Sequence, residues 1–426
     1  MPGVTGASGS ATLVAFNNLY TGPGPSGICP TPLAPQTQPS VLFAYNTATT
    51  LSGESNLSPV LSLDGKKVAF LESNDGAGDT YAAFHVLTWV AGEGGLTSAA
   101  LPGNCAPGNS CMTTLVLSNV TADRRSSPFV DYAHDTAYVG DTRGLLHKIT
   151  QVFLGTPAEI RGNGWPVQLS GTVPRSPVLD SVSGRIFVAS NGVGVNGSLD
   201  VVDSSSGTIL ATQSLPTFGL SDLIVDSTNQ TVFVFFASYP SFSLSVAQFD
   251  TSGTLLRQVS GLALGGDANA YTGAFDNNYF TNPSTGSLYF AGAVNFFASL
   301  YRVGFTGRTM NAALSGPLVL TTGTLTSVPG PLTEIYNPAL SSAPDRLFVG
   351  IYANCTSAGT DGCIESLDIS QGFPAGILDF RSVSTGGASD SVSGIIVDNV
   401  DPSAQASSIY FETPFAAYKL TQSGLQ

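Results

Sequence analysis

Ser176-Pro177-Val178-Leu179-Asp180 is followed by a turn closing on Gly184-Arg185, and then by Ile186-Phe187-Val188-Ala189. A short apolar run ends in Asp, a glycine turns the chain, and a β-branched and aromatic run follows. That is the composition of two antiparallel strands and their connection. The unit recurs on both sides. Ser58-Pro59-Val60-Leu61-Ser62-Leu63-Asp64 leads into Val68-Ala69-Phe70-Leu71, and Ser127-Pro128-Phe129-Val130-Asp131 into Ala137-Tyr138-Val139-Gly140. Leu223-Ile224-Val225-Asp226 precedes Val232-Phe233-Val234-Phe235, and Tyr279-Phe280-Thr281-Asn282 precedes Leu288-Tyr289-Phe290-Ala291. Ile335-Tyr336-Asn337-Pro338 precedes Leu347-Phe348-Val349-Gly350, and Gly394-Ile395-Ile396-Val397-Asp398 precedes Ile409-Tyr410-Phe411. These are seven copies in 426 residues, a period of about 61.

A third apolar strand follows each copy, as at Leu199 to Asp203, and a weaker fourth follows some, as at Ile209 to Thr212. Each copy therefore reads as a four-stranded antiparallel meander. Its first strand is apolar on both faces, so one meander alone leaves greasy surface in water. Seven meanders packed around an axis cover each other, which predicts an all-β, seven-bladed β-propeller. Two tandem sandwiches would not explain one motif along the whole chain. Residues 1–50 form an N-terminal segment, and 51–426 the propeller. The ring is expected to close by the strand Val41 to Tyr45 completing the last blade beside Phe415 to Leu420, which removes an open edge. Thr12 to Phe16 is a further strand, pairing within its own blade or adding to a neighbouring molecule.

Composition narrows the class. Charged residues are 10% of the chain, against about 25% in an average domain. With 15 Lys+Arg against 29 Asp+Glu, the net charge is −14, and no basic footprint for nucleic acid exists. No apolar run approaches the ~20 residues of a membrane helix. Cys105 and Cys111 bracket a short polar loop, as do Cys355 and Cys363, so both pairs read as local disulfides of an oxidising compartment. Cys29 is free, pairs with one of the others, or bridges to another chain. The address expected is extracellular or cell surface. Met1-Pro2-Gly3-Val4 lacks a basic and an apolar region, so an exported protein would be numbered here from after its processed leader.

Arg185-Ile186-Phe187-Val188-Ala189-Ser190-Asn191, Leu199-Asp200-Val201-Val202-Asp203 and Ser206-Gly207-Thr208-Ile209 together carry a strand–strand–turn signature. In it the chain resembles the YVTN/PQQ-like repeat propellers of secreted bacterial proteins, over residues 57 to 420. It also resembles secreted propellers of soil bacteria such as Acidobacteria. These likenesses imply a fold and an address, and no activity. A quinone cofactor in such folds implies a docking tryptophan in each blade. Only Trp89 and Trp165 are present, so no cofactor is expected.

In a propeller the loops entering the first strands surround a funnel. Arg124, Arg125, Arg175 and Tyr271 fall there, and three arginines in a chain so poor in basic residues suit a carboxylate or sulfate. The plainer reading pairs them with Asp123 and other acids. The repeated Asp64, Asp131, Asp180, Asp226 and Asp398 read as turn caps. Asp75 and Asp79, on a Gly-rich loop, are a weak calcium candidate without EF-hand register. His85, His134 and His147 form no metal motif, no nucleophile elbow has its acid and base, and no phosphate loop precedes a helix.

The sequence thus points to an extracellular, non-catalytic binding, adhesion or self-assembling structural module. Its partners would be its own copies, through the N-terminal strand or Cys29, or a surface glycan. The alternative is a hydrolase or lyase acting on a glycan-like polymer in the funnel. Asp267, Glu334 and Asp390 would then be its carboxylates.

Overall fold

The computed structural model describes residues 9–17, 40–50, 53–74, 81–118, 125–192, 194, 196–261, 269–294, 297–321, 327–338, 344–355, 362–377, 379–382, 393–398, 408–413 and 417–421. Every strand ladder among them is antiparallel, and neighbours in each sheet follow chain order. Among the described residues, antiparallel meanders succeed one another at 53–118, 129–168, 173–217, 217–260, 269–319, 333–382 and 396–421, the third and fourth spans belonging to one eight-stranded sheet. They are called first to seventh below. The third and fourth share one strand, Ile209–Asp226, whose register shifts at Thr217/Gly219 and Leu220/Leu223 let it leave one sheet and open the next. The sequence pattern divides this strand into two pieces because the bulges break its alternation.

Packing alternates with the pleat. In the first meander Ala69 and Leu71 face Val130, Ala137 and Val139 of the second, while Val68 and Phe70 face the other way. Tyr138 and Leu146 of the second meet Ile186 and Val188 of the third. Phe187 and Val201 meet Val232 and Val234 of the fourth, and Phe233 and Phe235 meet Leu288 and Phe290 of the fifth. Tyr289 and Leu300 meet Leu347 and Val349 of the sixth, whose Phe348 meets Ile409 and Phe411 of the seventh. The strands in between are apolar on both sides because each is core twice. This face-to-face succession is the packing of a β-propeller.

Two expectations are corrected. Ser40–Tyr45 does not lie beside Ala417–Thr421, which pairs with Ser408–Glu412. It pairs with Leu13–Asn17. Its other edge is taken by residues 92–100 of the first meander, through Gly92 N to Leu42 O (2.8 Å) and Ala100 N to Ala44 O (2.9 Å). With both edges filled, no third strand can join. Gly94 permits that contact, since at φ +74 an added Cβ would strike the Ala44 carbonyl. Phe43 and Tyr45 then cover Val68, Phe70 and Leu87. Tyr279-Phe280-Thr281-Asn282 is also no strand. Asp276 accepts Tyr279 N and starts the helix Asn277–Thr281, and the fifth meander opens instead at Asn269–Ala270 and Ala274–Phe275. A capping Asp overrides the β propensity of the aromatic residues.

Candidate functional site

The Ser-Pro pairs at the head of the repeats build a polar seam. Ser58 N donates to Ser127 Oγ (3.1 Å), Ser127 N to Ser176 Oγ (3.1 Å), and Ser176 N to Asp222 Oδ1 (3.0 Å). Thr272 Oγ1 donates to Asp222 O (3.4 Å), Leu332 N to Thr272 O (3.2 Å), and Thr333 Oγ1 to Ile395 O (2.7 Å). With Ser221 Oγ and Thr272 Oγ1 also 3.1 Å apart, such links join the heads of the first strands from the first meander to the seventh. Residues before Pro are held extended, which keeps each serine's N–H out of its own ladder and aims it at the next meander.

Arg125, Arg175, Asp222 and Tyr271 lie on this seam or within two residues of it. Arg175 N is anchored to Ala189 O (2.8 Å) and Tyr271 N to Ala291 O (3.3 Å). Arg175 is half-buried, and its Nε is enclosed with no hydrogen-bond partner among the described residues. Burial and then the neighbouring Arg125 charge push the guanidinium down to about 10, against the opposing pull of Asp222 and Tyr271. Burial raises the Tyr271 phenol, and Arg175 works against it. Arg125 is exposed. Arg125 and Tyr271 are near enough to Arg175 to act on its charge. Arg124 and Asp123 lie outside the described residues.

The carboxylates are arranged differently. Asp267 and Asp390 lie outside the described residues, as do Asp75, Asp79 and Cys29. Glu334 follows Thr333 of the seam and is half-buried. Glu334 pairs with Leu347, and Tyr336 with Asp345, so Glu334 and Asp345 are diagonal neighbours on one face. Glu334 Oε1 and Asp345 Oδ1 are both buried without a donor. Burial, Asp345 and Asp276 push Glu334 up to about 9, and Asp345 is raised as well. Such a pair holds one proton between two oxygens, because two buried like charges cannot both ionise. Asp345 Oδ2 accepts Asn277 N (3.2 Å) from the fifth meander.

The histidines are locked into pairs. His85 Nε2 lies 3.0 Å from Glu72 Oε2, which also accepts Thr49 Oγ1 (2.6 Å), while Thr50 N and its hydroxyl donate to Glu72 Oε1 (both 3.0 Å). His147 Nδ1 lies 2.6 Å from Glu159 Oε1, and its Nε2 3.6 Å from Asp141 Oδ2. His134 is exposed beside Asp131 (2.6 Å). The repeated aspartates cap turns. Asp64 accepts Lys66 N, Asp131 accepts Ala133 N, Asp180 accepts Val182 N, and Asp226 accepts Asn229 N. Disulfides join Cys105 to Cys111 and Cys355 to Cys363. Glu365 is fully buried beside the second, 3.8 Å from Cys363 Sγ, and burial pushes it up to about 8. With both sulfurs in the disulfide, Cys355, Cys363 and Glu365 offer no thiolate to a metal. Nothing in the sequence marks Glu72, Glu159 or Glu365, because each acts alone in its strand and meets its partners only through register.

No family model matches the chain, and no curated protein matches it. Among solved structures it is similar to BamB from Moraxella catarrhalis, at 12% identity over 89% of this chain and 85% of that one, with a TM-score of 0.47. It is similar to the hydrazine synthase of Kuenenia stuttgartiensis, at 12% identity over 85% and 94%, TM-score 0.48. A chain of a nidogen/laminin complex matches at 12% identity over 71% and 92%, TM-score 0.34. Among the described residues no helix is long and apolar enough to cross a membrane.

Proposed function

We propose that the protein is a secreted, non-catalytic seven-bladed β-propeller that binds its ligand at the mouth of the funnel, where the polar seam runs. The ring closes where the pair Leu13–Asn17 and Ser40–Tyr45 stands between the first and seventh meanders. Its support is the cover that Phe43 and Tyr45 give the first meander, and the three strands described for the seventh. The single observation that carries the binding reading is Arg175, whose enclosed Nε has no partner while a second arginine sits close by. A desolvated cation beside a like charge is costly unless a bound group offsets it. The hydrolase or lyase reading gains less. Of its three carboxylates, only Glu334 is described, and its companion is Asp345 in a closed interface.

Affinity electrophoresis through gels loaded with acidic and neutral polysaccharides tests this, alongside an assay for new reducing ends. Retarded migration without chain cleavage is the expected result. Cleavage would replace the binding reading with the hydrolytic one, and unretarded migration in every gel would remove it.

A further inference from the structure

We infer that the protein docks on a neutral lipid leaflet through aliphatic turn tips of its first three meanders, at the end of the first strands away from the seam. This is independent of any ligand at the seam. Leu63 is 83% exposed, Leu154 87% and Val182 69%, with Leu61 at 55% and Tyr132 at 40% beside them. Each lies at or just past the end of a first strand, except Leu154. Thr150 pairs with Thr136, so the loop carrying Leu154 leaves at the same end as the turn carrying Tyr132. The residues of the first two meanders adjoin one another. The Tyr132 hydroxyl donates to Leu61 O (2.7 Å), and its ring stacks on Phe153 at 6.2 Å. Phe153 N and Leu154 N donate to the two oxygens of Asp135 (2.8 and 2.9 Å). Ser62 Oγ donates to Asp64 (2.6 Å), and Val182 N to Asp180 (3.1 Å). Capped turns therefore hold the tips outward. Isolated exposed leucines are ordinary, but a joined apolar patch on fixed turns marks a surface for a partner.

Charge and area select the partner. Lys67, Lys148 and Arg185 each donate to a carbonyl of the next meander, at Phe153, Ser204 (2.7 Å) and Thr251 (2.6 Å). These cations are spent on the fold and are not offered to anionic headgroups. The net charge of −14 sets two copies against each other, and a neutral surface escapes that repulsion. The five exposed side chains offer roughly 300–500 Å², below the ~800 Å² per partner of a standard protein interface. Four of the five are Leu or Val, whereas Trp, Tyr and Arg anchor protein partners. Aliphatic tips enter an acyl layer one by one and need no shape-matched pocket, and Tyr132 suits the headgroup level behind them.

Co-sedimentation with phosphatidylcholine vesicles tests the proposal. The full chain should sediment with them, equally at low and high salt. Leu63→Asn and Leu154→Asn should each weaken partition about tenfold, as for one leucine denied an apolar phase. Val319→Asn, at an exposed apolar position towards the seam end of the fifth meander, should change nothing. Leu63→Trp should gain quenching by brominated lipid beyond that of the parent. Melting curves establish that each variant is folded. No sedimentation at any lipid concentration overturns the proposal, as does binding that L63N and L154N leave unaltered. Binding that requires anionic lipid, or that salt abolishes, overturns the choice of a neutral leaflet. Self-association in light scattering that L154N removes, without vesicle binding, gives the patch to a second copy and overturns the lipid reading.

Discussion

His147 illustrates what single residues contribute here. Burial alone would lower its pKa, but Asp141 and Glu159 outweigh that and raise it to about 9. Because the folded value lies above the unfolded value of about 6.5, this contribution is complete below that pH and fades as pH rises through about 9. Glu159 has the opposite sign. Burial raises it, but His147 and Arg161 hold it below the usual range, so its share is lost as pH falls through its folded value. The His147 ring should titrate near 9 by NMR. His147→Gln should cost about 3 kcal/mol in chemical denaturation at pH 7, as for a broken buried pair. Glu334 is a third case. Its folded value lies above the ordinary carboxylate range, so stability falls as pH climbs from about 4.5 towards 9. Glu334→Gln should match the parent at pH 4 and exceed it at pH 8 by on the order of 2 kcal/mol, read as a divergence of the two melting-temperature profiles as pH rises. Of these groups the sequence displayed only the residue types. The turn aspartates were legible because a cap acts within three residues. The His–Glu and Glu–Asp pairs were not, because strand register alone joins them.

Elements were legible where one periodicity ran undisturbed. The second strand of every repeat is a continuous apolar run, and the structure buries it on both faces. The helix Asn277–Thr281 escaped because five residues carry too little pattern to outweigh Tyr and Phe, and its one signal is Asp276. Glu72 ties its element to the residues before it. An added Cβ at Gly53 would collide with the Glu72 carboxylate, which holds Thr49, Thr50 and His85 at once. Gly53→Ala should therefore lower the melting temperature and speed exchange of the His85 ring proton with solvent, at a cost of about 1–3 kcal/mol for the disturbed bonds. The seam makes a similar forecast. Asp222→Ala strips the acceptor from Ser176 N and should cost about 1–3 kcal/mol in urea denaturation, while Asp222→Asn, which keeps an oxygen, should cost less.

At the scale of the whole molecule, the all-β class and its antiparallel meanders could be read directly, since no meander shields its own two faces. The partner of the N-terminal strand could not. An apolar strand is compatible with any open edge, and the choice was made by a loop, 92–100, whose sequence shows no strand. Removing residues 1–47 should uncover Val68, Phe70 and Leu87. Such a truncation should bind a hydrophobic dye and self-associate in light scattering, whereas the full chain should not bind the dye. The polar seam is not uniform along its length. Its first two joints are alike, an amide meeting a serine hydroxyl, and the third differs only in the acceptor, whereas the next two run from the later meander back to the earlier one and the last, Thr333 Oγ1 to Ile395 O, runs forward again. Copies could be spliced, duplicated or excised among the first three modules without mismatched couplings. Past the fourth, each module fits one berth, so growth of such a wheel by gene duplication would have its natural insertion point at the amino-terminal half.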